Sequence, residues 1–338
     1  GSASPAFQKT DCPPDSHLAK ISTDEFIIKG NYTDTASKIQ IRALLHTENT
    51  NVTPSIRQFV ISYKDNPPRL KSIEIPSDKI IDVPSYSQYI RDKNIGSVIC
   101  SPTSITMLLN RRNENLIVEE TAWSCFDYDY EAFGNWLFNV AFASSLGYES
   151  FVEYGNLKSL KREIYSEYPV AVSVKYTNDI NNLEYPYIEN APITTAGHIL
   201  VVRGFEKKDG IDYVVVNDPA GKSNESVTRR YKLSEFESAW HRGSNIMYII
   251  HDKEVEINNN RIEASLELKN NKENLYSVND TYLDLSSDFV KTILITYDNG
   301  LTFEYLVPYN NHYLALENKN KCIIYIIGSD GFTYVCNC

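Results

Sequence analysis

The sequence has no apolar run near the roughly 20 residues that cross a bilayer, which excludes a membrane-spanning helix among these residues. It has no G-x-x-x-x-G-K-[ST] pattern, and so no phosphate-cradling ATPase module. Positive charge is scarce: 33 Lys and Arg stand against 44 Asp and Glu, the net charge is −11, and no basic run gathers what there is. That balance excludes a nucleic-acid partner. Histidine is scarce too, with 6 in the chain, and His46, His241, His251 and His312 lack the spacing of a zinc ligand set. No internal repeat and no low-complexity tract is present, which removes solenoids and disordered arrays.

What remains is globular in character. The 338 residues are 42% hydrophobic and 23% charged, a balance that buries a core and leaves room for two or three domains. Tyrosine is abundant, 24 residues against 13 Phe, which suits partly exposed sheets with polar rims. Gly1-Ser2 reads as an expression remnant, so a signal or anchor segment is expected ahead of residue 3, with an extracellular or cell-surface location and attachment through the lost N-terminus.

Along the chain, "EFIIKGNY", "KIQIRALLH" and "IRQFVISYK" alternate or carry β-branched residues, predicting short strands between 18 and 65. "NPPRL" at 66–70 predicts a linker. Helices are predicted at 101–111, 117–126, 134–146 and 157–166, the last with Leu157, Leu160 and Ile164 on one face. Strands follow at 169–176, 197–208, 211–219, 227–233 and 245–251, and "FESAWHRG" places Trp240 as the core anchor of a last helix. Helices first and strands second is an α+β order. The boundaries fall as a β-rich segment over 1–70, a helix-then-sheet domain over 80–252 and a second β-rich segment over 262–338.

Six cysteines lie at 12, 100, 125, 322, 336 and 338. Cys125 reads as a buried helix residue. "KCIIYIIGSDGFTYVCNC" is a hairpin; with Ser329-Asp330-Gly331 as a three-residue loop and Gly331 left-handed, Gly328 faces Phe332 and Cys322 faces Cys338. A two-residue loop shifts the partner, so Cys322–Cys338, Cys322–Cys336 and free thiols all stay open.

Cys100 is in a different setting, in "GSVICSPTSITMLLN" between a loop and an apolar run. Pro102 suits a first helical turn, with Ser101 or Cys100 expected at the cap. A thiol there lies at the positive end of a helix dipole, which favours the thiolate. A cysteine nucleophile further needs a base, a group to orient that base and an oxyanion donor. His198 opens the strand "GHILVVRG", and Asp218 closes the next strand ahead of Pro219. Adjacent antiparallel strands bring the start of one beside the end of the other. Gln88, in "VPSYSQY" ahead of the cysteine helix, can offer its amide to an oxyanion.

With "VPSYSQY", "CSPTSITMLL", "GNWLFNVAFASSLGYES", "LKREIYSEYPVAVSV", "AGHILVVRGF" and "VVVNDPA", the block from about 80 to 252 resembles family thirty-nine of the cysteine peptidases. This is the papain-like group related to bacteriocin-leader peptidases, and the likeness is nearest to its soluble bacterial branch without an attached transporter. The resemblance implies a papain-like α+β fold, helices before an antiparallel sheet. It also implies a triad of Cys100, His198 and Asp218, with Gln88 lining the oxyanion hole and no metal or cofactor. The substrate would be a peptide or related amide, cleaved by hydrolysis. The same residues fit two alternatives, a catalytically silent peptidase-like binding or scaffolding protein, and an acyl or peptidyl transferase. One departure stands out. The family commonly has Gly beside the nucleophile, whereas this chain has Ile99 and Ser101, and the Ser101 side chain is expected to narrow the cleft.

Overall fold

The computed structural model describes residues 19–21, 26–28, 40–51, 53–64, 78–257, 261–269, 273–278, 281–283, 289–306 and 322–337. The predicted linker at 66–70, Cys12 and Cys338 lie outside them. The chain divides into two compact units, Ala3–Pro68 and Arg69–Cys338. Among the described residues no helix is long and apolar enough to cross a membrane.

In the smaller unit, β1 (Ala19–Ile21) and β2 (Phe26–Ile28) pair antiparallel, with Ala19 opposite Ile28. Two further strands predicted here do not form: the described parts of "KIQIRALLH" and "IRQFVISYK" carry no ladder. Their apolar side chains stay in water, Leu44 71% and Phe59 57% exposed. Alternation marks a segment that can line a sheet, but a ladder also needs a partner edge, and none pairs with these stretches among the described residues.

The larger unit opens with β3 (Lys79–Ile80), which pairs β6. Helices α1 (Cys100–Asn110), α2 (Val118–Ser124) and α3 (Trp136–Ser145) follow, then β4 (Tyr148–Tyr154) and α4 (Leu157–Tyr165). The chain continues as β5 (Val170–Tyr176), β6 (Thr195–Lys208), β7 (Ile211–Asn217), β8 (Thr228–Lys232), α5 (Leu233–Arg242) and β9 (Ile246–Lys253). These strands form an antiparallel sheet in the order β4-β9-β5-β6-β7-β8. The architecture is α+β, helices leading and an antiparallel sheet following. α4 starts where Asn156 Oδ1 accepts from the amides of Lys158 and Ser159, both at 3.0 Å, and it buries Leu160 and Ile164. Trp240 of α5 is buried, its indole N–H bonded to Ile246 O at 3.1 Å. Strand β4 was not visible in the sequence, because "YESFVEY" lacks a clean alternation and takes its strand form from pairing β9.

Beyond β9 come β10 (Arg261–Glu263), β11 (Ser265–Lys269), β12 (Glu273–Val278), β13 (Thr281–Leu283), β14 (Val290–Thr296), β15 (Glu304–Leu306), β16 (Ile323–Gly328) and β17 (Thr333–Asn337). One sheet runs β10-β17-β16-β14-β15 and a second β11-β12-β13. At the tip of the β16–β17 hairpin Gly331 has φ +85°, and the Gly328 amide donates to Phe332 O at 3.0 Å, as the three-residue loop requires. Cys336 then stands opposite Ile324 as a free thiol, which removes a Cys322–Cys336 bridge.

Candidate active site

The site begins where α1 begins. Cys100 is the first helical residue and the cap position falls to Ile99, one residue earlier than expected. Ile99 has no side-chain acceptor, so its backbone does the work: Ile99 O accepts from the Thr103 amide at 3.0 Å and the Thr103 hydroxyl at 2.7 Å. Pro102 sits inside the first turn, where its missing N–H leaves no donor unmet. The helix thus starts without a side-chain cap, and its positive end is left for the Cys100 sulfur and whatever approaches it. Cys100 is part exposed, while the rest of the first turns is buried.

Two strands bring the other groups to that point. His198 lies near the start of β6, opposite Val174 of β5, and is 4% exposed. In the β6–β7 ladder Val201 faces Asn217, so Asp218, one step past β7, arrives at the same sheet end. His198 Nε2 is 2.7 Å from Asp218 Oδ1, which leaves Nδ1 as the nitrogen for the adjoining Cys100 thiol. Asp218 is fully buried and its carboxylate is saturated with donors. Oδ1 also accepts from the Ala220 amide at 3.0 Å, and Oδ2 accepts from the Tyr176 and Tyr231 hydroxyls, each at 2.8 Å.

Burial pushes the Cys100 thiol up, but the His198 charge, its ring hydrogen bond and the amides of Ile199 and Ser101 outweigh burial and hold it below the ordinary thiol range. Burial pushes His198 down, and the Asp218 and Cys100 charges overcome that and raise it to about 10. Asp218, raised by burial, is held below the usual carboxylate range by His198, Tyr231 and Ala220. Burial and the Asp218 charge raise both tyrosines well above their ordinary value, so they stay protonated and keep donating. The three shifts run in the direction of a thiolate beside an imidazolium, backed by a carboxylate.

Gln88 sits in a 3-10 turn, Gln88–Ile90, and is buried. Its backbone N–H donates to Pro219 O at 2.9 Å, tying this turn to the residue after Asp218. The next residue, Tyr89, is raised by burial and then by the Cys100 and Asp218 charges, which places the turn at the rim of the cluster. Gln88 Nε2 donates one hydrogen to Gly96 O at 2.9 Å, while Oε1 has no hydrogen-bond partner. One N–H of that amide is therefore committed to the loop before Cys100 and the second is uncommitted.

Ser101 does not narrow the cleft. It is buried, with its hydroxyl 2.9 Å from the Tyr248 hydroxyl of β9. The second residue of a helix turns about 100° from the first, and that turn carries Ser101 into the sheet. Trp136 packs part-buried against the main core, at the start of α3. Cys125 caps the end of α2 one residue past Ser124, fully buried and raised far above an ordinary thiol by burial, so it is inert beside Cys100. Sequence reasoning missed Tyr176 and Tyr231. "VSVKY" and "VTRRYKL" read as plain strand ends, and only the shared sheet end turns their hydroxyls onto one carboxylate oxygen.

Residues 80–247 match the model of the Peptidase_C39 like family. No curated protein matches the chain. Among solved structures, a double glycine motif protease from an AMS/PCAT transporter, crystallised with the leader peptide, is similar at 18% identity, with 53% of this chain and 98% of that chain covered and a TM-score of 0.35. A C39-like peptidase chain from Bacillus anthracis aligns at 17% identity over 52% of this chain and all of that one (100%), with a TM-score of 0.38. A digestive procathepsin L 3 from the larval midgut of Tenebrio molitor aligns at 13% identity over 57% of this chain and 73% of that one, again at 0.38.

Proposed function

Residues 80–247 of the chain belong to the Peptidase_C39 like family, and from that premise we propose a cysteine peptidase or amidase that hydrolyses a peptide or related amide through Cys100, His198 and Asp218. The observation that carries this is the buried His198 Nε2–Asp218 Oδ1 contact of 2.7 Å, with the part-exposed Cys100 thiol hydrogen-bonded to the same imidazole. The Cys100 thiolate attacks the carbonyl carbon, and the carbonyl electrons move onto oxygen. The Cys100 backbone N–H at the helix start and the uncommitted N–H of Gln88 Nε2 stabilise that oxyanion. The carbonyl re-forms as the C–N bond breaks, and His198 Nδ1–H protonates the leaving amine. Water, giving its proton to His198, then attacks the thioester and releases the acid and the thiolate. Asp218 keeps the imidazole in the orientation and tautomer that both steps need.

The ion pair is the reactive form. It persists between the lowered Cys100 value and the raised His198 value, so turnover falls below the first, where sulfur gains a proton, and above the second, where the imidazolium proton for the leaving amine is lost, whereas alkylation falls on the acid side alone. Iodoacetamide labelling read by mass spectrometry on the Cys100 peptide tests this. Cys100 should label well below the pH at which an ordinary thiol, of pKa about 8.5, becomes a thiolate. His198→Ala should move its labelling toward that ordinary dependence. Ordinary thiol behaviour of Cys100 in the unaltered chain would falsify the assignment.

A further inference from the structure

A chain of hydrogen bonds runs from the C-terminal sheet to Gln88. Strand β14 carries a register irregularity between Val290 and Thr292 in its pairing with β16. A bulge re-aims side chains. Val290 and Ile293 consequently share the outer cluster of that sheet, while Thr292 and the Lys291 ammonium both turn to α2. The Lys291 ammonium lies 5.4 Å from the Trp123 ring centroid, and the Trp123 indole N–H donates to Thr292 Oγ1 at 2.9 Å. An indole only donates and a carboxylate only accepts, so the Thr292 hydroxyl has one orientation left: it donates to Asp92 Oδ2, at 3.0 Å. Thr292 and Asp92 are both buried.

From Asp92 the line continues to the site. Asp92 O accepts from the amides of Ile95 at 3.1 Å and Gly96 at 2.7 Å, closing the loop that leads into Cys100. Gly96 O then accepts from Gln88 Nε2. Asp92 is held from the same domain by a second route: its amide donates to Glu119 Oε1 at 3.0 Å, and Tyr305 of β15, raised by burial, is raised again by the Glu119 charge beside it. Gly96 fits so closely that a Cβ there would lie 2.8 Å from Gln88 O, so a shift of the loop is a shift of Gln88.

We infer that Thr292 is a positioning residue, through which the C-terminal sheet sets the oxyanion donor Gln88 while leaving the thiolate pair alone. The inference rests on the proposed chemistry. Its test separates the two steps that chemistry contains. Alkylation by iodoacetamide reports the thiolate, whereas acylation by p-nitrophenyl acetate, read as released p-nitrophenolate, passes through an oxyanion. In the full chain, Thr292→Val should slow acylation about tenfold, less than the about hundredfold loss expected when an oxyanion donor is removed outright. Its alkylation rate and the pH dependence of alkylation should stay those of the parent. Thr292→Ser should restore acylation, and Thr292→Val added to Gln88→Ala should cost nothing more than Gln88→Ala alone, since both act on one donor. Should Thr292→Val not fold, Thr292→Ala is judged by the same two rates. Unchanged acylation, equal loss of both rates, no rescue by serine, or additive losses with Gln88→Ala would each overturn the inference. A parent chain that neither alkylates at low pH nor acylates at Cys100 would instead sink the peptidase assignment itself.

Discussion

The tyrosine pair on Asp218 sets up a measurable claim. Asp218 is fully buried and takes two hydroxyl hydrogen bonds on Oδ2, from Tyr176 and Tyr231, both at 2.8 Å. A hydrogen bond to a charged group contributes about 1.5–3 kcal/mol. Tyr176→Phe or Tyr231→Phe alone should therefore lower stability by about that amount at neutral pH, a fall in Tm of about 3–12 °C at the usual 2–4 °C per kcal/mol for a domain of this size. The double change strips Oδ2 of both donors and should lose more than either single change. The pH dependence follows from the sign of the shift. Asp218 is held below its ordinary value, so its contribution is present above the unfolded pKa and fades as pH falls through the folded one. Removing donors raises the folded value and shrinks that contribution, so the less stable double variant should reach its acid midpoint at higher pH. Thermal unfolding at a series of pH values reads both effects. Alkylation of Cys100 at neutral pH should change little, because His198 keeps its own bond to Oδ1. A double Phe variant with the parent's Tm and the parent's acid midpoint would refute the claim that these hydroxyls hold the carboxylate.

Cys100→Ala should remove acylation by p-nitrophenyl acetate altogether while leaving Tm within about 1 kcal/mol equivalent of the parent, since a part-exposed helix-start residue is changed to a good helix former. Ser101→Ala should lower stability by about 1 kcal/mol through loss of the Tyr248 contact, with the alkylation rate unchanged, because that hydroxyl faces the sheet and not the cleft. Gly96→Ala should slow acylation more than alkylation and lower stability by about 1–3 kcal/mol, as its Cβ meets backbone oxygens of Gln88 and Asp92. His251, between Glu163 and Glu149 at 2.9 Å each, is raised above its ordinary value, so its stabilisation is full below the unfolded pKa and fades as pH rises through the folded one. The Tm gap between the parent and His251→Gln should thus be widest near pH 6, at most about 1 kcal/mol for a part-exposed site, and should close in alkaline solution.

Local signals in the sequence carried far, and where they stopped has a physical reason. Leu157, Leu160 and Ile164 recur at helical spacing behind the Asn156 cap, and α4 forms within a residue of where that pattern places it. "GHILVVRG" and "DYVVVNDP" carry unbroken apolar centres, Ile199–Val202 and Val214–Val216, as strands buried on both faces must, and they became the paired β6 and β7. Asp218 ahead of Pro219 marked where β7 ends, because a residue before proline is pushed out of regular ladder geometry. By contrast, "KIQIRALLH" has the same alternation as a true strand and its described part, 40–46, forms none, since alternation describes one edge and a ladder takes two. Tyr176 and Tyr231 stand 55 positions apart in the numbering and meet on Asp218 only through the order β5-β6-β7-β8.

Thr292 shows the same limit more sharply. In a regular strand its side chain and that of Val290 would lie on one face, and a period of two would send both into the same cluster. The irregularity between Val290 and Thr292 breaks the period, and only then does the hydroxyl reach Asp92 while Val290 joins Ile293. No pattern in "DFVKTILITY" encodes that shift; it depends on what β14 packs against. Arg261 of β10 grips Glu120 of α2 with Nε at 3.1 Å and Nη2 at 2.9 Å, so the sheet is anchored beside α2 by a two-pronged ion pair as well as by Trp123. Anchoring by direction-specific polar contacts, and not by apolar burial alone, fixes the register of the sheet against the helix. A slip would leave Trp123, Asp92 and Glu120 without those partners, at about 1–3 kcal/mol for each buried group. The loop before Cys100 is tied to that fixed register through Asp92, so a segment far beyond His198 and Asp218 in the sequence is hydrogen-bonded to the turn that leads into Cys100.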